Sequence, residues 1–343
     1  MSKKRFSQSI FWLFVIFAFS IQLITGQSKE FITHESMWMM KRVGAPIPSP
    51  DGNWVVFSMT EPAYEEKDQT SDLWIVPENG STKPRRLTFS KSVEGGAAWS
   101  PDSKRIAFSA KREGDEVAQI YVIDVASGGE AMRVTNVSTG ARNPQWRPDG
   151  NAILFISSVY PNALNDEDNK KIAIDRKNNK YKARVFDSFP VRNWDRWIDE
   201  MQTHVLIQTL GEGAKAKDLM AGTKLTAEKG FGGRLGSGSD DIDAVWSPDG
   251  NSVFFVASID RTNAAFAETT MQIYQALTTG GEPKQITRTD GSYSRPTFSP
   301  DGKTLYAAFD PNTDKVYNLS RLAAIDWTNG GRMAAERAFS VAA

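Results

Sequence analysis

The sequence predicts an all-β fold, a β-propeller with four-stranded blades, because one short segment recurs along its 343 residues. A representative copy runs from Trp246 to Phe255 and reads Trp-Ser-Pro-Asp-Gly-Asn-Ser-Val-Phe-Phe. Copies begin at residues 48, 99, 146, 246 and 298, so successive starts lie 51, 47, 100 and 52 residues apart. Four units are therefore near fifty residues long, and one carries about fifty more. Four-stranded units of this length cannot cover their own faces, and radial stacking of blades is the stable solution.

Each repeat contains the signals for four strands. Within the recurring segment, Pro presets φ for a turn, Asp-Gly accepts a tight reversal, and an apolar run follows, which together predict a hairpin. A second apolar signature comes next, as in residues 120–124, followed by a Gly-containing turn and a short strand such as Arg133-Val-Thr. We therefore expect blades near residues 47–94, 97–142, 144–225, 244–293 and 296–343.

Aromatic residues begin the second to fifth copies and are expected to pack between neighbouring blades: Trp99, Trp146, Trp246 and Phe298. A stacking platform for ligands is the alternative role. An aromatic residue that recurs in register with the repeat is, however, expected to have a structural role in packing the repeats. An extended β-solenoid is the rival architecture. It is disfavoured because solenoid repeats are usually far shorter.

Residues 1–26 have the order of a secretory signal. Basic residues at 3–5 precede an apolar run from Ile10 to Ile24, and small residues follow at 25 and 26. An uncleaved membrane anchor is the alternative. The sequence has no cysteine, which excludes lipid modification on Cys, disulfides and thiolate metal sites. We expect an exported chain, in a bacterial periplasm or secreted, whose residues 27–343 form the propeller domain.

Composition and motifs exclude several functions. The sequence has 41 Lys and Arg residues and 41 Asp and Glu residues, so no net positive charge favours binding of nucleic acid. No membrane partner is expected beyond the signal. No Gly-x-Ser-x-Gly elbow occurs, and residues 232–239 are interpreted as a flexible connector. The Asp-rich run at 240–243 lacks calcium-site spacing, and of the two histidines, His34 and His204, the second is predicted to be a sheet residue. We predict no catalytic residue, metal or cofactor.

The extra residues of the third unit form an insertion, residues 160–202, which is polar first and then rich in aromatic residues. Trp194, Trp197, Ile198 and Met201 are spaced at helical intervals, so a partly helical insertion is expected. Insertions on a rigid scaffold often carry function. We therefore predict a substrate-binding site formed by Arg192, Trp194, Asp195, Trp197, Asp199 and Glu200. The alternative is that the tryptophans only pin the insertion and the carboxylates are a solvated helix face.

The stretch Val191-Arg-Asn-Trp-Asp-Arg-Trp, followed by Thr203-His-Val and Ala216-Lys-Asp-Leu-Met, carries a family resemblance. It resembles the N-terminal propeller of serine peptidases of the prolyl oligopeptidase family, in the bacterial dipeptidyl-peptidase and acylaminoacyl-peptidase branch. The likeness covers nearly everything from Glu30 to about Trp327. It implies a propeller that favours short peptides by restricting access to an α/β-hydrolase domain, which carries a Ser-Asp-His triad and is absent from this sequence.

The resemblance has two further implications. Family propellers usually have seven blades, whereas five units are visible here, so we expect an incomplete propeller in a truncated chain that is inactive alone. In dipeptidyl-cleaving members, acidic residues of a propeller insertion hold the free amine of the substrate, a role that Asp199 and Glu200 would have here.

A different class of protein is the alternative: a freestanding periplasmic propeller that binds proteins, similar to the Tol-system propeller. That class would place a small α/β domain before the blades and close a ring of six. A propeller enzyme with its site on the central axis is a third possibility. The sequence disfavours it because convergent His or carboxylate clusters are missing.

Overall fold

The computed structural model describes residues 31–65, 68–126, 129–181, 183, 185–186, 189–193, 195–198, 200–235, 240–313, 318–327 and 334–339. The chain divides into two compact units, Met1–Met40 and Lys41–Ala343. In the described part of the first unit, helix α1 (His34–Trp38) begins after Thr33, whose side chain accepts a hydrogen bond from the Ser36 N–H. The predicted signal, residues 1–26, lies outside the described residues.

In the described part of the second unit, five antiparallel sheets of four or five strands follow one another along the chain. In the four-stranded sheets the strands pair in chain order. The first contains β1 (Arg42–Val43), β2 (Ile47–Pro48), β3 (Trp54–Glu61), β4 (Thr70–Pro77) and β5 (Arg85–Arg86), with β1 and β2 both pairing with β3. The second contains β6 (Glu94–Trp99), β7 (Arg105–Ala110), β8 (Gln119–Asp124) and β9 (Met132–Arg133). The third contains β10 (Arg142–Trp146), β11 (Ala152–Val159), β14 (Gln202–Thr209) and β15 (Lys217–Asp218).

After the third sheet, β16 (Arg234–Leu235) and β17 (Asp240–Asp241) pair antiparallel in a separate two-stranded sheet. The last two four-stranded sheets then repeat the order of the second and third. The fourth contains β18 (Ala244–Trp246), β19 (Ser252–Ala257), β20 (Gln272–Leu277) and β21 (Lys284–Gln285). The fifth contains β22 (Gly291–Phe298), β23 (Thr304–Pro311), β24 (Arg321–Asp326) and β25 (Ala334–Phe339). Five such blade units confirm the predicted fold class.

The recurring segment forms the predicted turn between the first two main strands of a blade. In the fourth blade, Ser247 donates to Asp249, which accepts the Asn251 N–H at 3.0 Å, and the Ser252 N–H donates back to Ser247 Oγ at 2.9 Å. Gly250 has φ +68°, a left-handed backbone conformation that glycine adopts without the steric cost of a Cβ atom. In the first blade, the Ser49 hydroxyl is the main cause that lowers the pKa of Asp51 to about 2.

The repeated aromatics lie between blades, as predicted. Each indole donates its Nε1–H to a backbone carbonyl of the preceding blade: Trp99 to Ile47 at 3.0 Å, Trp146 to Ala98 at 3.0 Å and Trp246 to Gln145 at 3.2 Å. Phe298 has no such donor and packs edge-on against Phe254, with ring centroids 5.1 Å apart. These contacts fix one blade against the next through packing and one recurring hydrogen bond.

A buried side-chain staple joins the last two strands of the second blade. Thr135 Oγ1 accepts the Ile120 N–H at 2.8 Å and donates to Gln119 Oε1 at 2.8 Å. Gln119 Nε2 then donates to the Val137 carbonyl at 2.8 Å, at the beginning of the connection to the third blade. The fourth blade repeats these contacts with Gln272, Thr287 and the Gly291 carbonyl. We call this Gln–Thr arrangement the blade staple.

The insertion lies in the third blade between β11 and β14 and is partly helical, as predicted, but its helix is in the polar half. Helix α2 (Asp166–Asn178) begins after Asn165, whose side chain accepts the Asp168 N–H at 2.9 Å. Acidic residues occupy its first turn, and Arg176 and Lys177 its last, which suits the helix dipole. None of the helices in the described part of the chain is long and apolar enough to cross a membrane.

The helical interpretation of residues 191–204 is wrong. Strands β12 (Arg192–Asn193) and β13 (Arg196–Trp197) form a short hairpin, which the Ile198 N–H extends by donating to the Val191 carbonyl at 3.1 Å. The helical spacing rested on four apolar residues only. Asn and Asp at the centre of this stretch favour a turn, and the apolar spacing did not outweigh that preference.

Candidate functional site

A cavity of about 770 Å³ lies between the third-blade insertion and the connection from the third to the fourth blade. We call it the insertion cavity. Its apolar wall includes Phe186, Phe189, Pro190, Ile198, Met201 and Phe231. Its charged and titratable residues are Arg176, Glu200, His204, Glu228, Lys229 and Arg261. A cavity of this size, whose wall combines apolar side chains with charged and polar ones, can hold a small ligand.

Helix α2, which forms one side of the insertion, is anchored to the preceding blade connection by Asp166. One carboxylate oxygen accepts the Ser138 N–H at 2.7 Å and its hydroxyl at 2.6 Å, while the other lies 2.7 Å from Lys170 Nζ. Burial acts to raise the pKa of Asp166, but the hydrogen bonds from Lys170 and Ser138 outweigh it and leave the pKa below its ordinary value. The carboxylate form therefore holds the start of the helix in place.

An ion pair in the wall of the insertion cavity links the two halves of the insertion. Arg176 lies in the last turn of α2, and its guanidinium pairs with Glu200, which lies two residues before β14. The Glu200 side chain is 33% exposed, so solvent screens the pair only in part. This arrangement places a compensated positive and negative charge on one wall of the cavity.

His204 forms a buried part of the cavity wall. It lies in β14, and its side chain is 3% exposed. Nδ1 lies 2.7 Å from Oδ2 of Asp218, whose Oδ1 accepts the N–H groups of Met220 at 2.8 Å and Ala221 at 3.1 Å. The ring stands edge-on to Phe231, with centroids 6.1 Å apart. Nε2 is buried and has no hydrogen-bond partner among the described residues.

The prediction that His204 is a sheet residue is confirmed, whereas its pairing with Asp218 and its place in the cavity wall were missed. The repeat contained a sequence signal that set His204 apart. His204 stands where Gln119 and Gln272 stand in their own blades, one residue before the apolar signature. A histidine in the position that the second and fourth blades fill with the glutamine of the staple marks a departure from those two blades.

The predicted site residues are only partly brought together. Glu200 lines the insertion cavity; Arg192, Asp195 and Trp197 lie on the β12–β13 hairpin and do not line it. Trp197 is 59% exposed and stacks on Phe186, a cavity residue, with centroids 5.8 Å apart. Trp194 and Asp199 lie outside the described residues. Among the residues that the structure describes, no three His, Cys, Asp or Glu side chains are grouped so that they could hold a metal ion.

Comparison with known proteins places this geometry in context. A family model described as the TolB β-propeller domain matches residues 19–181. The chain is 28% identical over 284 residues to dipeptidyl-peptidase 5 of Porphyromonas endodontalis, an alignment that covers 81% of this chain and 38% of that protein. It is 26% identical over 238 residues to the uncharacterized peptidase YuxL of Bacillus subtilis, covering 69% of this chain and 33% of the other.

A solved structure of Pyrococcus horikoshii acylaminoacyl peptidase superposes with a TM-score of 0.54 at 16% identity, covering 87% of this chain and 40% of that one. At that identity the likeness concerns the fold alone. The chain is therefore a β-propeller. Its resemblance to propellers of the prolyl oligopeptidase family is confirmed, and it spans 38% of the length of the P. endodontalis relative.

Proposed function

We propose that this propeller is the non-catalytic, substrate-gating part of an exported serine peptidase that cleaves short peptides, of the dipeptidyl-peptidase or acylaminoacyl-peptidase type. The observation that carries the proposal is the alignment of 81% of this chain with a protein named dipeptidyl-peptidase 5. The partners of the propeller are then a catalytic α/β-hydrolase domain and the peptides admitted to it. The insertion cavity supports this role because it combines an apolar wall with charged groups.

Within this function, Glu200 is proposed to hold the free amine of a peptide. Its carboxylate pairs with Arg176, but two carboxylate oxygens offer about four acceptor sites, so an ammonium group can share it. Five neighbours are proposed as further substrate contacts: Arg192, Trp194, Asp195, Trp197 and Asp199. A protonated amine then gains a charge-assisted hydrogen bond that an acylated amine cannot make.

Calorimetric titration of the chain with Ala-Phe-amide and with its N-acetyl form tests this role. We expect Glu200→Gln to weaken binding of the free-amine peptide about tenfold, the loss of one charge-assisted hydrogen bond, and to leave the acetylated peptide unaffected. Glu212→Gln is the matched control, since Glu212 is exposed and does not line the insertion cavity. Equal weakening of both peptides, or no change for either, would show that Glu200 does not recognise the amine.

A protein-binding propeller of the Tol-system kind is the second candidate. The description of the matched family model, the TolB β-propeller domain, favours it. This function needs no catalytic domain after the blades, which separates it from the first.

A further inference from the structure

The third blade lacks the staple that the second and fourth blades share. The strand registers make the positions equivalent, since Leu206 pairs with Asp218 as Tyr121 pairs with Arg133 and Tyr274 with Gln285. His204 therefore replaces the staple glutamine and Met220 replaces the staple threonine. Met220 Sδ takes over one staple contact, because it accepts the Val205 N–H at 3.2 Å.

The other staple contact has no substitute. In the second and fourth blades the glutamine Nε2 donates to a carbonyl, at 2.8 Å from Val137 and 2.9 Å from Gly291. His204 Nε2 is equally buried and finds no acceptor or donor among the described residues. An unpaired buried polar atom is destabilising, whereas the second and fourth blades satisfy the same position with a hydrogen-bonded glutamine. The demands of the blade fold therefore do not explain the histidine.

The Asp218 contact determines what His204 offers to a ligand. Asp218 Oδ1 accepts two backbone N–H groups, so the carboxylate is held as an acceptor, and its Oδ2 accepts a hydrogen bond from the Nδ1–H of His204. In the neutral imidazole, Nε2 then carries a lone pair and accepts a hydrogen bond. In metal sites and catalytic triads a carboxylate fixes the orientation of a functional histidine ring in the same way.

The surroundings define the ligand. Phe189, Ile198 and Phe231 supply the apolar part of the wall, and the charges of Arg176 and Glu200 compensate each other. Glu228, Lys229 and Arg261 add polar groups, so a neutral body with apolar side chains and a polar backbone fits. A volume of about 770 Å³ is large enough for a short peptide. We propose that the insertion cavity binds a short apolar peptide segment and that His204 Nε2 accepts a hydrogen bond from one of its backbone N–H groups. Other neutral molecules that donate a hydrogen bond share this chemistry, and the choice of a peptide among them rests on the proposed function.

The first test uses the unmodified chain and N-acetyl-Leu-Phe-dimethylamide, whose only donors are two backbone N–H groups. The chain has two histidines, so ¹⁵N spectra of the imidazoles contain two sets of signals, and a His34→Ala variant assigns them. We expect saturation with the peptide to shift the Nε2 signal of His204 and to leave that of His34 in place. Methylating one of the two amide nitrogens is expected to weaken binding about three- to tenfold, and methylating the other to change it much less.

The second test rebuilds the staple with the residues of the fourth blade in the variant H204Q/D218Q/M220T. This variant is expected to fold, because Gln272, Gln285 and Thr287 hold the same positions there, and to bind the peptide about three- to tenfold more weakly. Gln272→His in the fourth blade is the matched control and should leave peptide affinity unchanged.

Equal affinities of the unmodified chain and the staple variant, an unmoved His204 signal at saturation, or no binding of this peptide would overturn the proposal. The capped peptide has no free amine, so these results are independent of the Glu200 titration. If this proposal fails, the proposed peptidase function is unaffected, because a separate experiment tests it.

Discussion

Replacing Trp146 by alanine is expected to lower the free energy of unfolding by about 3–5 kcal/mol, the range for truncating a buried large aromatic side chain. Trp146 is 7% exposed and contacts the second blade in two ways. Its Nε1–H donates to the Ala98 carbonyl at 3.0 Å, and the Arg105 guanidinium lies 4.6 Å from its ring centroid. The truncation removes packing, a hydrogen bond and a cation–π contact at one blade junction. Urea denaturation followed by circular dichroism measures the loss.

Trp146→Phe is the matched control, because Phe298 shows that a ring without the donor is accepted at a blade junction. We expect this variant to lose about 1–2 kcal/mol, mainly because the Ala98 carbonyl is left without its donor. Losses of equal size for the two variants would contradict the account, since the hydrogen bond would then outweigh the packing.

Replacing Arg112 by alanine is expected to lower the free energy of unfolding at neutral pH by about 3–5 kcal/mol, the usual effect of leaving a buried charge unpaired. Arg112 Nη2 lies 2.8 Å from Glu94 Oε1, and the Glu94 side chain is 0% exposed. The guanidinium also lies 4.8 Å from the ring centroid of Tyr121. Lys41→Ala, which breaks an exposed pair with Glu61, is the control and should cost under about 1 kcal/mol.

The effect of Arg112→Ala should depend on pH with a defined sign. Burial raises the pKa of Glu94 above its ordinary value, although hydrogen bonds from Thr88 and Arg112 oppose the increase. The folded chain therefore holds this proton more tightly than the unfolded chain. Its contribution to stability is present below the unfolded pKa and is lost as pH rises through the folded pKa. Without Arg112 the folded pKa rises further, so the variant should lose more stability at pH 8 than at pH 5. A loss that grows towards pH 5 would contradict this assignment.

The blades could be predicted from the sequence because each depends on local chemistry. The Pro-Asp turn and the apolar strand after it are encoded within ten residues, and an aromatic recurs in register at the start of the second to fifth copies. Helix α2 could not be predicted because its apolar residues, Ile172, Ala173 and Ile174, are consecutive and leave no helical period to detect. Residues 191–204 gave the opposite error, because four apolar residues at helical spacing are too few to distinguish a helix from a hairpin.

The candidate site depends on register, which sequence patterns define poorly. His204 and Asp218 are 14 residues apart and meet because β14 and β15 pair with Leu206 opposite Asp218. Arg176 and Glu200 meet only because the insertion folds back on itself. Of the residues predicted for the site, Glu200 is the one that lines the insertion cavity among those the structure describes.

Sequencing the gene beyond the codon for Ala343 tests most directly whether this propeller serves a peptidase. If the propeller belongs to a serine peptidase, we expect a downstream segment, in any reading frame, that encodes a Gly-x-Ser-x-Gly elbow followed by an Asp and a His in α/β-hydrolase order. A downstream region without such a segment in any frame would contradict the peptidase assignment and favour a protein-binding propeller.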